Sequence, residues 1–532
     1  MLLKEYIAEK ISKAIKELYD KSFDIEIEIP KNQEFGDYSS NISFLLAKKL
    51  KKSPQSIAGQ IAEKINLDNN EIIGKAEGAF INIIFKDEFL NKLLMEFNKV
   101  CGLQGDYSKI DIGQGKKVLI EYVSANPTGP LHIGHGRWAA IGDTLKKMLN
   151  YCGFSADSEY YINDAGVQVK KLRQSIDAVK QGQNIPEDGY HGKYIDELAK
   201  NTQDPVDIIL KEQKETLNEF RVDFDNWFSE KKLYEAEKVE KALKILRDKN
   251  VLYDKDGALW FKSSEFGDDK DRVLIKSDGE KTYFASDIAY HEDKIERGYE
   301  WLINIWGTDH HGYVTRLKSA INALYSSKGE HKKIGEDKFK VILGQLVTLF
   351  QNGQPLKMSK RTGEMITLKE VIDEIGVDAA RYWLVMRSPD THLDFDLDLA
   401  KEQSSNNPVY YVQYAHARIC SILRKAEEER DITEIDSQKL IIETLEPDER
   451  DLLLKILRFS EELVESTVKL EPHRLPRYAE ELAAIFHSFY TNCRVINEDK
   501  KTQARRLVYI KTTKIVLKNI LNLLGVSAPE KM

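Results

Sequence analysis

At 532 residues the chain is too long for one compact core, so two to four domains of about 100–200 residues each are expected. Hydrophobic residues make up 42% and charged residues 31%, which excludes disorder as the main state. A formal net charge of -8 excludes binding of nucleic acid through a basic total, but not through lysines and arginines gathered on one local surface.

The four cysteines, Cys101, Cys152, Cys420 and Cys493, lie far apart with no CxxC pair. Neither a zinc site nor a disulfide framework is expected, and a reducing cytoplasm fits. Leu3, Ile7, Ile11, Ile15 and Leu18 recur at helical spacing among mixed Glu and Lys, so the first residues read as an amphipathic folded helix rather than a signal or transit peptide. A second helical pattern covers Ile42–Ile65, and Phe80–Phe85 is strand-like. These make a small α+β domain over 1–112, followed by a linker at Gly113-Gln114-Gly115.

Val118–Val123 reads as a strand. A loop with two prolines follows, then a helix whose Trp138, Ile141, Leu145 and Leu149 share one face and which stops near Gly153. Glu159–Ile162 is strand-like, so residues 113–168 form a βαβ unit and imply a parallel sheet. Residues 169–272 are polar and charge-rich with helical patterns, an insertion that splits the sheet domain. The α/β pattern resumes over 273–350. Leu302–Trp306 is a strand, Val314, Leu317, Ile321 and Leu324 stripe a helix, and Leu346–Phe350 enters a Gln-Asn-Gly-Gln turn. Residues 351–405 form a loop-bearing region. From 406 to 532 the pattern is helical, with Leu507, Ile510, Leu517, Ile520, Leu521 and Leu524 on one face of the last helix. No repeat, low-complexity tract or transmembrane run is present, so no membrane partner is expected.

Three motifs carry chemistry. Ala125-Asn126-Pro127-Thr128-Gly129-Pro130-Leu131-His132-Ile133-Gly134-His135 lies between a buried strand and an amphipathic helix. A helix N-terminus there offers free N–H groups and a positive dipole end to phosphate. Gly134 lets a nucleotide approach the backbone, and His132 and His135 can donate to phosphate oxygens as charge builds. The alternative is an ordinary helix start with two histidines. Lys357-Met358-Ser359-Lys360-Arg361-Thr362-Gly363 follows the Asn352-Gly353 turn. Its cations suit a triphosphate and a leaving pyrophosphate; the alternative is a solvated basic loop. Trp306-Gly307-Thr308-Asp309-His310-His311-Gly312 ends the resumed strand. Gly307 permits close approach and Asp309 can accept from ribose hydroxyls. A metal at Asp-His-His is the weaker option, because no third ligand is placed, and no metal site is assigned.

HIGH followed by KMSK resembles the class I aminoacyl-tRNA synthetases. The resemblance implies a Rossmann-type parallel-sheet catalytic domain, split by a connective insertion, with both motifs bracketing ATP. Catalytic roles then fall to His132, His135, Lys357 and Lys360, and ATP contacts to Gly134, Gly307, Asp309, Met358 and Ser359. Mg²⁺ is expected with ATP, although no dedicated cage is visible.

Two acids point to the amino acid. Glu121 sits in the strand before HIGH, where a charge is expensive unless paired; a lysine holding it at the strand end is the bland alternative. Asp287 follows Tyr283 by four residues. A guanidinium, planar and permanently charged, needs carboxylates that accept in a fork. The stretches Ile120-Glu121-Tyr122-Val123-Ser124-Ala125-Asn126-Pro127, Tyr160-Tyr161-Ile162-Asn163-Asp164-Ala165-Gly166 and Leu524-Gly525-Val526 resemble the arginyl-tRNA synthetase family. This resemblance covers nearly the whole chain. It implies that Glu121, Asn126, Tyr283 and Asp287 bind L-arginine. Thr308 stands where some members have a substrate-touching Gln, and it is shorter. Many members lack an intact KMSK, which this chain keeps.

The resemblance also implies tRNA(Arg) as partner, an N-terminal domain on the tRNA elbow and an all-α C-terminal anticodon-binding domain. Phe80 and Asn82 match an aromatic-x-Asn pair that contacts a D-loop base. Tyr411 and Tyr414 match anticodon-contacting tyrosines, and Met532 a terminal Met near the same loop. A Phe in a strand or tyrosines at helical spacing are otherwise core residues. A monomer without DNA partners and without an editing domain is expected. A nucleotidylyltransferase also uses HxGH, but the helical C-terminus and distant KMSK disfavour it. A non-catalytic tRNA-binding relative is disfavoured by the intact motifs, and a cysteine- or methionine-charging relative by Glu121, Asp287 and the missing zinc cysteines.

Overall fold

The apolar stripe of the first residues folds into α1 (Leu3–Tyr19), which buries Leu3, Ile7, Ile11 and Ile15. In this computed structural model residues 2–101, 110–356, 366–428, 444–496 and 498–532 are described. After β1 (Tyr38–Ser40), the single helix expected over Ile42–Ile65 is two, α2 (Ile42–Leu50) and α3 (Pro54–Asp68). Lys51 takes φ 53°, the Ser53 side chain caps α3 by accepting from the Ser56 N–H, and Pro54 has no N–H to continue α2. β2 (Ile72–Glu77) and β3 (Phe80–Phe85) complete an antiparallel sheet of order β1-β3-β2, and α4 (Asp87–Cys101) follows. Gly113 is packed rather than a free linker. Its N–H donates to the Cys152 carbonyl at 2.9 Å, and a Cβ there would lie 2.3 Å from the Phe154 nitrogen.

The βαβ unit is β4 (Lys117–Glu121), α5 (Ile133–Tyr151) and β5 (Ser155–Ile162). Val118, Leu119 and Ile120 are all at most 1% exposed, the continuous apolar run of a central parallel strand. The next segment contributes α6 (Val167–Lys180), α7 (Lys193–Ala199), α8 (Pro205–Glu219), β6 (Asn226–Ser229), α9 (Glu230–Glu235), α10 (Lys238–Asp248) and an antiparallel set β7 (Leu252–Lys255), β8 (Ala258–Phe261) and β9 (Arg272–Ile275). Then come α11 (Tyr283–Glu296), β10 (Trp301–Gly307), α12 (His311–Tyr325) and β11 (Phe339–Gly344).

The parallel sheet runs β11-β10-β4-β5-β6. The inserted stretch 169–272, expected to split the sheet domain with helical patterns, also supplies its edge strand β6. Strand order reverses between β4 and β10, and the crevice at their carboxyl ends is where such sheets bind ligands. α5 lies close on the sheet because glycines face aromatics: a Cβ on Gly142 would lie 2.3 Å from the Tyr122 ring, and one on Gly344 1.8 Å from Trp138.

β12 (Val347–Gln351) and β13 (Gln354–Pro355) form the expected hairpin, with Asn352 and Gly353 at φ 51° and 70°. α13 (Leu368–Ile375), α14 (Val377–Val385), β14 (Leu393–Asp396), parallel to β12, and α15 (Leu397–Lys401) lead into the helical region. That region comprises α16 (Pro408–Glu428), α17 (Pro447–Leu457), α18 (Phe459–Lys469), α19 (Arg474–Asn492) and α20 (Lys500–Leu524). The N-terminal sheet docks on it. Tyr38 donates to Glu461 at 2.7 Å, and Arg450 reaches both Asp37 and Asp87 at 2.6 Å.

Candidate active site

His132 is the N-cap of α5. Its Nδ1 accepts from the N–H groups of Gly134 at 3.1 Å and His135 at 3.4 Å, while His135 Nδ1 accepts from the His132 N–H at 3.3 Å. The rings stack with centroids 3.6 Å apart. Because each Nδ1 accepts, a neutral ring carries its proton on Nε2, which makes Nε2 the donor. Gly134 has a second reason to be glycine: a Cβ there would meet His132 Cε1 at 2.9 Å. Lys357, Met358, Ser359 and Lys360 lie outside the described residues. The chain just beyond them is anchored at HIGH, since Thr367 bridges His132 and the Leu368 N–H donates to the Leu131 carbonyl at 2.7 Å.

Across the crevice, β10 ends at Gly307, and Thr308–His310 form one 3₁₀ turn before α12. Asp309 is exposed, Thr308 is half-buried, and a Cβ on Gly307 would lie 2.5 Å from Asp309 Oδ1. Asn126 is exposed in the loop between β4 and α5.

The acids gather beside this crevice. Glu121, at the end of β4, is 7% exposed. Its Oε2 pairs with Lys294 Nζ at 2.5 Å, and Oε1 accepts from Ser124 Oγ at 3.3 Å. Lys294 also reaches Asn304 Oδ1 at 3.4 Å. Asp287, on the second turn of α11, accepts from the Tyr313 hydroxyl. Burial pushes its carboxyl up to about 8; the charges of Glu121 and Glu230 add to the rise, and Tyr313 and Lys294 oppose it. Glu121 therefore has an internal cation and Asp287 has a phenol.

Glu230, the first residue of α9, is a third acid that sequence reasoning missed. It is 4% exposed, its Oε2 has no hydrogen-bond partner, and burial raises its carboxyl to about 6. Asp164 fixes the helix start by accepting from Ser229 Oγ at 2.6 Å and the Lys231 N–H at 3.0 Å. Burial and then the charges of Glu230, Asp287 and Glu121 push up the Tyr161 phenol, and Asp287, burial, Glu230 and Glu121 push up that of Tyr283, so all three acids lie near the same two tyrosines. Tyr283 is 55% exposed. Glu230 follows a sheet strand just as Glu121 ends one, and would have been legible had β6 been recognised.

The sites expected for RNA lie elsewhere. Phe80 is 45% exposed and meets Phe44 edge-on at 5.5 Å, whereas Asn82 is buried, accepting from Ser39 Oγ at 2.8 Å. Ser405, Tyr410, Tyr411, Tyr414 and His487 line a cavity of about 440 Å³ in the helical region. Met532 is 53% exposed.

A parallel sheet whose switch point carries a helix capped by the first histidine of HIGH fits a class I aminoacyl-tRNA synthetase, and similarity to known proteins shows that class. The family described as tRNA synthetases class I (R), catalytic domain, matches residues 99–188 and 189–419. The arginyl tRNA synthetase N terminal domain matches 2–85, and the DALR anticodon binding domain 412–532. The chain is similar to Arginine--tRNA ligase 1 of Halalkalibacterium halodurans, with 44% identity covering 96% of this chain and 94% of the relative. It is 42% identical to the Arginine--tRNA ligase of Aquifex aeolicus over 100% of both. The solved arginyl-tRNA synthetase of Thermus thermophilus shares the fold, with a TM-score of 0.79, 23% identity and 100% of both chains covered. The chain belongs to the arginyl-tRNA synthetase family.

Proposed function

We propose that the chain activates L-arginine with ATP and transfers it to the 3′-terminal adenosine of tRNA(Arg), releasing AMP and pyrophosphate. The observation that carries this reading is the pocket of Glu121, Glu230 and Asp287. Three buried carboxyl groups with one paired lysine among them call for a cationic, multi-donor ligand. A guanidinium offers five donors in a fixed plane, and an ammonium cannot span the same acceptors. A site built on such bonds can reject analogues by about 10⁴–10⁵ without editing.

In this reading Asn126, Tyr283 and Thr308 complete the arginine site. The arginine α-carboxylate attacks the ATP α-phosphate in line. His132 and His135 donate from Nε2 to the phosphate oxygens, and Lys357 and Lys360 neutralise the leaving pyrophosphate. Gly134, Gly307, Asp309, Met358 and Ser359 hold the nucleotide, and Mg²⁺ accompanies it. Phe80 and Asn82 serve the tRNA elbow, and Tyr411, Tyr414 and Met532 the anticodon; the expected domain limits follow that division. The enzyme acts as a cytoplasmic monomer.

Aminoacylation of total tRNA with ATP and Mg²⁺, one amino acid at a time, tests the reading. Arginine alone is expected to be attached, and attachment of another amino acid instead would overturn it.

A further inference from the structure

The loop from β4 to α5 carries both Asn126 and His132, and it begins in strained backbone. Val123 has φ 68° and Ser124 φ 40°, and the Ser124 N–H donates to the Tyr122 carbonyl at 2.9 Å, which closes a γ-turn. A β-branched residue at positive φ persists only where its surroundings over-determine it. Here they do. Ser124 Oγ accepts from the Tyr161 N–H at 3.1 Å. Beyond the turn, side chains outside the loop take up its carbonyls in series. Gln213 Nε2 donates to Asn126 at 3.3 Å and to Gly129 at 2.9 Å, and Tyr194 donates to Thr128 at 3.0 Å. The Tyr160 hydroxyl lies 3.1 Å from the Ala125 carbonyl and 2.9 Å from Gln213 Oε1, and its one proton serves one of them at a time.

Gln213 is 1% exposed and lies on α8; Tyr194 lies on α7. Both helices belong to the inserted segment. Two carbonyl acceptors fix the Gln213 amide nitrogen toward the loop, because carbonyls only accept. We propose that Gln213 and Tyr194 are positioning residues for the activation of arginine. Through them the inserted helices clamp the strained loop and keep Asn126 and the HIGH histidines in register with the acid pocket.

The proposal rests on the catalytic reading of that loop. Gln213→Glu keeps the shape and removes both donors. Arginine kcat/KM is expected to fall roughly 10²-fold, the cost of a misplaced reacting group, with KM for tRNA unchanged. Lowering the pH from about 8 to about 6 should narrow the gap to wild type, because a buried carboxyl protonates there and regains one donor. Tyr194→Phe, which loses one bond, should cost about 3–10-fold. Amide hydrogen exchange over residues 123–131 should quicken in Gln213→Glu, a reading that needs no catalysis. Unchanged exchange, activity within twofold of wild type in either variant, or a rise in KM for tRNA that accounts for the whole loss would overturn the clamp. The wild-type chain run alongside separates the two questions. If it attaches a different amino acid, the substrate reading fails, while the clamp is still read from exchange and from that amino acid's own kcat/KM.

Discussion

If Asp287 binds arginine as proposed, it trades stability for binding. Its folded carboxyl stands at about 8 against an ordinary 3.8, first because of burial. The folded chain thus holds a proton that the unfolded chain has already lost across that window. The stability this supplies is complete below the unfolded value and disappears as pH rises through the folded one. Asp287→Asn is therefore expected to melt above wild type at about pH 8.5, with the difference closing as pH falls toward about 4. Binding runs the other way, since a guanidinium needs the ionised carboxylate. Arginine KM should fall as pH rises through about 8 in wild type and stay flat in the variant. The variant's arginine kcat/KM should drop roughly 10²–10³-fold with the ATP KM unchanged; equal losses for both substrates would make Asp287 a structural residue. Lys294, 1% exposed, is a different case. Lys294→Met leaves Glu121 buried without its cation, so unfolding by denaturant should show a loss of about 3–5 kcal/mol. Glu121 stood out as a candidate because an acid in an apolar run is costly wherever it occurs, whereas Asp287 stood out only through the family resemblance of Tyr283 and Asp287. A lysine partner for Glu121 was the alternative reading of the sequence, and Lys294 is that lysine. Its position, like Tyr313 and Glu230, was not legible, because what marks these residues is proximity to others distant in the chain, and periodicity carries no such information.

Elements were legible where local chemistry alone decides them. The Asn352-Gly353 hairpin, the run of β4 and the apolar face of α5 all follow from turn residues and spacing. The break between α2 and α3 was also written locally, in Ser53-Pro54, but a continuous apolar period masked it. β6 was hidden for a physical reason. It is a four-residue edge strand, half-buried throughout, so it has neither the apolar run of a central strand nor a long alternation. The tip of α5 carries a testable division of labour, because His132 caps the helix through Nδ1 and, in the proposed mechanism, offers Nε2 to the nucleotide. His132→Asn separates the two. Asn is among the best caps, so thermal stability should stay near wild type, whereas His132→Ala should lose about 1 kcal/mol. Both should lower kcat for arginyl-adenylate formation by about 10²–10³-fold, the effect of removing one donor from a developing charge. A His132→Asn enzyme with wild-type kcat would assign the histidine to capping alone.

At the scale of the whole molecule, the division into sheet and helical parts was legible from the change of period near residue 406, but the joint between them was not. That joint is Arg381 of α14, fully buried. It pairs with Asp143 of α5 and donates to the carbonyls of Leu524 at 2.7 Å, Phe220 at 3.0 Å and Arg221 at 3.2 Å. One guanidinium therefore ties the HIGH-bearing helix, the end of α8 and the end of α20. Gly525 must be glycine here, since its φ is 68° and a Cβ would lie 2.4 Å from Arg381 Nε. Asp378, three residues earlier, extends the joint to Arg221 at 2.6 Å and Gln413 of α16 at 2.9 Å. A lysine in place of Arg381 keeps the charge but has three donors at one point, and these cannot span acceptors on separate elements. Arg381→Lys is thus expected to cost about 3–5 kcal/mol, because carbonyls and a carboxylate stay buried without partners. Asp143→Asn, which keeps an acceptor for the guanidinium, should cost less. If the joint couples the two halves, arginine kcat/KM in Arg381→Lys should also become less sensitive to Tyr414→Ala than it is in wild type. A double-mutant cycle measures that coupling, and strict additivity would reduce Arg381 to a structural pin.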